Sequence, residues 1–331
     1  MRSLFLGLAA TTALAGPVLA DALRDAASEF FAPLPATAPE IEGNPASAEK
    51  LALGQALFFD ARLSSTGQVS CNSCHNLAEG GEDGLATAQL PDGSAGMRNT
   101  STVLNAVMNE QHFWDGRESD LEAQAAGPFV AMLSLMNTPD GAVAAIKAVP
   151  GYAPLFAAAF PGEADPVTLD NIAKALEVFD ATLLTPGPFD AWLSGDDAAL
   201  SDAQKAGLQA FMDHGCSFCH FGPTLGGSGY YPLGLVDLPG IDVMAADEVA
   251  AKEAADPEAE EFVFRTSPLR NIALTGPYFH AGKVSDLAIA VDVMAAGQLG
   301  SPLEPADTAA IVTFLESLTG TAPAVTAPTL P

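Results

Sequence analysis

Basic residues are scarce in this sequence. Lysine and arginine together number 13 against 41 aspartates and glutamates, and the formal charge is −28. Duplex binding depends on Lys and Arg neutralising phosphates, so nucleic acid is excluded as an expected partner. An acidic surface suits basic proteins steered by long-range attraction, and it also serves plain solubility. After the first twenty residues no apolar run is long enough to span a bilayer, so no membrane association is expected of the mature chain. Alternating strand patterns are scarce too, Glu261 to Phe264 being the one short candidate. Cysteines number only four, so any disulfide framework would be sparse.

What is present begins with a secretory pattern. Arg2 gives a basic start, Leu4 to Leu14 is a short apolar stretch, and Val18-Leu19-Ala20 fits a small-residue cleavage site before Asp21. The periplasm is the expected compartment. An exported chain would ordinarily spend its cysteines on disulfides, but their spacing argues otherwise. Cys71-Asn72-Ser73-Cys74-His75 and Cys216-Ser217-Phe218-Cys219-His220 are two Cys-x-x-Cys-His motifs, and they use every cysteine. Each reads as a c-type haem attachment site. Two thiols about one helical turn apart reach two vinyl groups of one porphyrin, and the adjacent histidine meets the iron as proximal ligand. The competing readings are a redox dithiol or a zinc site. A thioredoxin-like motif would sit in a βαβ context and needs no terminal histidine.

Hydrophobic residues make up 49% of the chain, and alanine and leucine dominate them. A mainly α fold is expected. Asn44-Pro45 predicts a helix running to about Phe59, and Thr138-Pro139 predicts another before Val149. Ser201 with Gln204 is a capping box for a helix ending near His214. Ile172, Leu176 and Phe179 share one helical face. Thr185-Pro186-Gly187-Pro188 reads as a linker, and a last helix runs from about Pro305 to Leu318. The acidic run Ala245 to Glu261 reads as solvated surface. The length suggests two domains, and the two motifs fall in opposite halves of the chain, so one haem per domain is expected. The expected division is a signal peptide at 1–20, an N-terminal cytochrome c-like domain at 21–184 and a C-terminal one at 185–331.

Further stretches join the haem motifs in one pattern. They are Leu57-Phe58-Phe59-Asp60-Ala61-Arg62-Leu63-Ser64, Phe113-Trp114-Asp115-Gly116-Arg117, Tyr230-Tyr231-Pro232, Leu269-Arg270-Asn271-Ile272-Ala273-Leu274-Thr275, Pro277-Tyr278-Phe279-His280, and Met294 with Gln298-Leu299-Gly300. Along nearly the whole mature chain this pattern resembles bacterial dihaem cytochrome c peroxidases. The resemblance implies that hydrogen peroxide is reduced at the N-terminal haem on His75. It implies that electrons arrive at the C-terminal haem, held by His220 and Met294, from a small periplasmic cytochrome c or blue copper protein. Trp114 is the implied conduit between haems, and Phe113 and Gln124 line the implied distal pocket. A calcium ion is implied at Asn99, Thr275 and Pro277, as is a homodimer. His280 is expected to have a structural role beside the haem.

Two positions depart from that family. Where many members place a histidine that caps the first iron, this chain has Pro91, and no histidine lies between His75 and His112. Where the family has its distal glutamate, this chain has Ser134. A hydroxyl titrates far from neutral pH and cannot shuttle protons as a carboxylate does. Three readings therefore stay open. The chain is a peroxidase using water or another group such as Glu110 or His112, or it is similar to the methylamine-dehydrogenase maturation enzyme, or it is a noncatalytic electron carrier or sensor. Met132 and Met136 are nearby potential ligands of the first iron, with core packing the commoner use of such residues.

Overall fold

The computed structural model describes residues 16–90, 93–131, 136–237, 239, 243–244 and 262–331. The first fifteen residues, Pro91, Met132, Ser134 and the acidic run at 245–261 lie outside them. Among the described residues the fold is mainly helical, with a single two-stranded sheet in which Tyr230–Pro232 (β1) pairs antiparallel with Val263–Arg265 (β2). The short strand expected near Phe264 is therefore present.

Two helix crossings carry the two cores. In the first, α2 (Ala48–Phe58) packs on α7 (Leu169–Asp180), with α4 (Leu121–Ala131), α5 (Pro139–Lys147) and α6 (Tyr152–Ala159) around them. In the second, α9 (Asp202–Asp213) packs on α11 (Pro305–Glu316), flanked by α8 (Pro188–Leu193) and α10 (Leu287–Met294). The crossings are made alike. A Cβ on Gly54 of α2 would collide with the carbonyl of Ala175 and with Phe179. A Cβ on Gly207 of α9 would collide with the carbonyl of Ala310 and with Phe314. Each glycine lets two backbones approach closely, and the aromatic one turn on closes the contact.

The likeness extends along both halves. Asn105 and Asn271 both adopt left-handed backbone (φ 60° and 62°) before a short 3₁₀ turn. Their N–H groups donate to the carbonyls of Leu183 and Leu318, the residues four beyond Phe179 and Phe314. Phe113 and Phe279 are also left-handed (φ 64° and 66°). The chain is thus a structural repeat, each half carrying one haem motif. Its self-similarity escapes a sequence reading because the matched residues are few and widely spaced.

The junction between the halves is tight. Thr185 is 1% exposed, and its hydroxyl accepts from the Asn105 amide at 2.7 Å and from the Asn271 amide at 2.8 Å. Its own N–H donates to Asn105 Oδ1 at 2.8 Å. Thr185, the first residue of the stretch read as a linker, is thus buried and bonded to both repeats, while Pro186 and Pro188 are exposed. The termini also cross over. Leu23, Ala27 and Phe31 pack into the second core, and Arg24 donates to the Trp192 carbonyl and pairs with Asp197. Val325 and Leu330 pack on the first core, and Gln55 donates to the Thr326 carbonyl. The cores exchange their ends.

Local expectations fare well where caps decide them. Thr138 Oγ1 accepts from Gly141 N, and Ser201 with Gln204 forms the capping box. Ile172, Leu176 and Phe179 are all buried on one face. One start is shifted: α2 begins at Ala48 with Ser47 as its cap, not at Asn44-Pro45. Asn44 is 1% exposed, and its amide instead donates to Glu177 Oε2 at 2.8 Å and to the Lys174 carbonyl at 2.9 Å. A tertiary use outcompetes the local one.

Thr185→Val keeps the shape of the junction and removes its acceptor. Each buried amide donor left unpaired costs about 1–3 kcal/mol. Denaturant unfolding is expected to show a loss of that order for each of the two amides, and unchanged stability would refute the junction's role.

Candidate haem and active sites

The two motifs are built alike. Cys71–Cys74 forms one helical turn (α3), and His75 N donates to the Cys71 carbonyl at 2.8 Å. Cys216–Phe218 forms a 3₁₀ turn entered through Gly215, and His220 N donates to the Cys216 carbonyl at 2.9 Å. In each, the two thiols and the imidazole emerge from a single turn. None of the four cysteines is in a disulfide.

The surroundings suit covalent haem and do not suit a reactive dithiol. Burial pushes the Cys71 thiol up to about 12 and the Cys74 and Cys216 thiols up to about 11. A reactive thiolate needs the opposite, a depressed pKa in an electropositive setting. Among the described residues no group of three His, Cys, Asp or Glu is arranged to hold a metal. Burial lowers both histidine pKa values, favouring the neutral imidazole that binds iron. His220 Nδ1 faces the Leu225 carbonyl at 3.1 Å, which directs Nε2 outward. His75 is buried as well, with the backbone of Gly81 and Ser101 beside its ring.

Met294 ends α10, where the helix widens into a π-helical turn over Ala295–Leu299. Such widened turns are frequent at functional sites. Leu287 and Val291 pack in the same cluster as Cys216. Met294 follows them at helical spacing and so shares the face turned towards the second motif.

Between the halves lies an aromatic group of three. Trp114 meets Phe264 edge-on at 6.4 Å and His280 at 6.2 Å, and Phe264 stacks on His280 at 4.4 Å. Trp114 and His280 each follow a left-handed phenylalanine, so they occupy matching positions of the repeat. Trp114 Nε1 donates to the Asn99 carbonyl at 2.9 Å, and Asn99 N donates to the His280 carbonyl at 2.8 Å. Asn99 is thereby tied to the segment carrying Thr275 and Pro277. Its Nδ2 donates to the Leu85 carbonyl, which fixes the orientation of the amide.

Phe113 packs on α4, the helix that carries Gln124. The Phe113 ring lies 3.3 Å from where a Cβ on Gly127 would stand, and Gln124 is on the same helical face three residues earlier. The Arg117 guanidinium covers the other side of that ring, 3.6 Å from its centre. The substitute proton carriers fit less well. Glu110 is exposed. His112 is buried, and that burial together with Arg265 pulls its pKa down to about 4, so it carries no proton to give at neutral pH. Met136 is 6% exposed in the first core and is a packing residue.

Two groups went unnoticed in the sequence. Asp180 and Glu177 of α7 are each 5% exposed. Burial raises the Asp180 pKa to about 8, with the Glu177 charge adding to it, and also raises that of Glu177. The available signal was Asp180 at four residues from Leu176, on the buried stripe of an amphipathic helix.

Fold and motifs together define a mainly helical c-type cytochrome with two haem centres. Comparison with known proteins narrows this. The sequence profile described as di-haem cytochrome c peroxidase matches residues 48–198. The chain is 46% identical over 313 residues to a cytochrome c551 peroxidase of Pseudomonas aeruginosa, covering 94% of this chain and 90% of that protein. It is 35% identical to the methylamine utilization protein MauG of Methylorubrum extorquens, covering 98% and 95%. A solved MauG-like protein associated with microbial copper homeostasis superposes with a TM-score of 0.74 at 26% identity, covering 87% of this chain and 95% of that one. The chain belongs to the dihaem cytochrome c peroxidase family, and it is an oxidoreductase of the peroxidase type with two covalent haems.

Mass spectrometry of the exported protein is expected to read the polypeptide plus two haems. Cys71→Ser with Cys74→Ser should lose one of them, and a mature mass equal to the bare polypeptide would contradict the assignment.

Proposed function

We propose that this protein reduces hydrogen peroxide to water in the periplasm, with electrons from a small cytochrome c or blue copper protein. When bound, the haems supply one-electron redox chemistry; the chain's residues orient, insulate and connect them. The carrying observation is the Trp114, Phe264 and His280 group between two repeats that each hold one haem motif. Close aromatic contacts give a through-space route from one half to the other. In this reading the repeat bearing His220 and Met294 takes electrons in, because a thioether opposite histidine raises haem potential. The repeat bearing His75 reduces peroxide, with Phe113 and Gln124 shaping the pocket. The two repeats are two cytochrome c-like domains, one haem in each.

A calcium ion at Asn99, Thr275 and Pro277 belongs to the same reading. Amide and carbonyl oxygens are the hard donors that cation takes, and Asn99 is anchored to the loop that supplies the others. A homodimer and a cleaved signal peptide complete it. Ser134 in place of a carboxyl weakens acid–base catalysis, so turnover is lower than a carboxyl-equipped pocket would give.

Two measurements test this. Met294→His should lower the potential of the second haem and slow its reduction by the donor, and an unchanged potential would reject Met294 as a ligand. Steady-state assay of the holoprotein should show peroxide-dependent oxidation of a reduced cytochrome c. Ser134→Glu should raise that rate, by up to about 10²–10⁴-fold if the pocket is otherwise intact. No turnover in either protein would favour the carrier reading.

A further inference from the structure

The repeat supplies its own control for α7. Ala175 and Phe179 match Ala310 and Phe314 against the two glycines, and Leu183 matches Leu318 in accepting from the left-handed asparagines. Asp180 therefore stands where the second half has Leu315, and Glu177 stands where it has Val312. Leu315 is 3% exposed and packs in the second core. The fold is satisfied by apolar residues at these positions. In the half assigned to peroxide, both are carboxyls.

The carboxyls neighbour one another in turn: Asp180 and Glu177 lie one turn apart on α7, and Glu122 is on α4, which packs against it. Asp180 is buried, and its Oδ1 has no hydrogen-bond partner. It lies close enough to Cys71 that its charge raises that thiol's pKa. Glu177, three residues back on the same face, is held by Asn44 Nδ2 at 2.8 Å and by the backbone N–H of Glu122. Glu122, at the start of the helix that carries Gln124, is hydrogen-bonded to the exposed Asp170, and burial raises its pKa to about 7. An unpaired charge at Asp180 would be costly, and a neutral acid there leaves a proton to give.

We propose that Asp180 is an internal proton source for the first haem compartment, reloaded from solvent through Glu177 and Glu122. The inference rests on the peroxide-reducing reading. Each peroxide consumes two electrons, from the donor protein, and two protons, and its O–O bond is replaced by the O–H bonds of two waters. Asp180 gives up a proton and becomes a carboxylate. It takes another from the Glu177 carboxyl, which recovers one from solvent by way of Glu122. The second half only passes electrons and has no need of such a relay. Its leucine and valine fit that difference.

The test uses Asp180→Asn, and Asp180→Leu, which copies the side chain that the second half accommodates. Both should load two haems and lose about 10²-fold in kcat for peroxide, with little change in KM. In a Ser134→Glu background the same changes should cost no more than a few-fold, because a second acid bypasses the relay. Glu177→Gln should slow turnover while leaving Asp180 in place. Infrared spectra of wild type should contain a protonated-carboxyl stretch that shifts in heavy water and is absent from Asp180→Asn. Wild-type turnover in both Asp180 variants overturns the proposal, and so does an equal loss in the Ser134→Glu background, the mark of a structural role. Should wild type itself turn over no peroxide, the functional reading fails on its own. The infrared band then decides for Asp180: its absence from wild type, or its survival in Asp180→Asn, overturns the proposal.

Discussion

One threonine hydroxyl holds the two halves in register. Thr185 accepts from Asn105 on one side and Asn271 on the other, and its carbonyl lies against Gly320 with no room for a Cβ between them. Both asparagines hold a left-handed backbone, which asparagine tolerates better than most residues. Their side chains are what make the strained turns worth keeping: each reads the junction and fixes the loop that follows it. Those loops lead to Phe113-Trp114 and to Phe279-His280. The geometry between the haem motifs therefore descends from a small polar network shielded from water, where such bonds are strongest.

Around that centre a duplicated plan has diverged. Both halves cross two helices over a glycine, both place a Cys-x-x-Cys-His turn beside the crossing, and both follow a left-handed phenylalanine with an aromatic ring that meets its counterpart. What differs is the side chains hung on the plan. One half offers tryptophan where the other offers histidine, and the pair meet at 6.2 Å. One half carries buried carboxyls where the other carries Leu315 and Val312. Shared backbone thus carries unshared chemistry in the two halves. The crossed termini bind the halves further, since neither core is complete without the other's end of the chain.

Much of this was legible in the residues. Helix caps at Thr138 and Ser201 act within four positions, so they read correctly. The haem motifs are contiguous, and their chemistry is stated by their spacing. Where reading failed, a distant partner had intervened. Asn44 looks like a cap but is claimed by Glu177 far along the chain. Thr185 to Pro188 has the composition of a linker, yet Thr185 is 1% exposed because two asparagines need its oxygen. Glu110 and His112 were the nearest candidates in sequence for a missing acid. One is exposed, and burial and Arg265 lower the pKa of the other.

The sequence by itself determined the haem motifs, the helical class and the family, because each is written in short runs or in composition. Only the tertiary structure decided which residues correspond between the halves and which polar groups lose contact with water. Those properties belong to pairs of residues separated by many turns of chain. Asp180 makes the point. In the sequence it is one of 41 acidic residues. Folding removes its solvent and sets it near Cys71, and its twin position holds a leucine. Desolvation, which no local pattern encodes, is what raises that carboxyl's pKa.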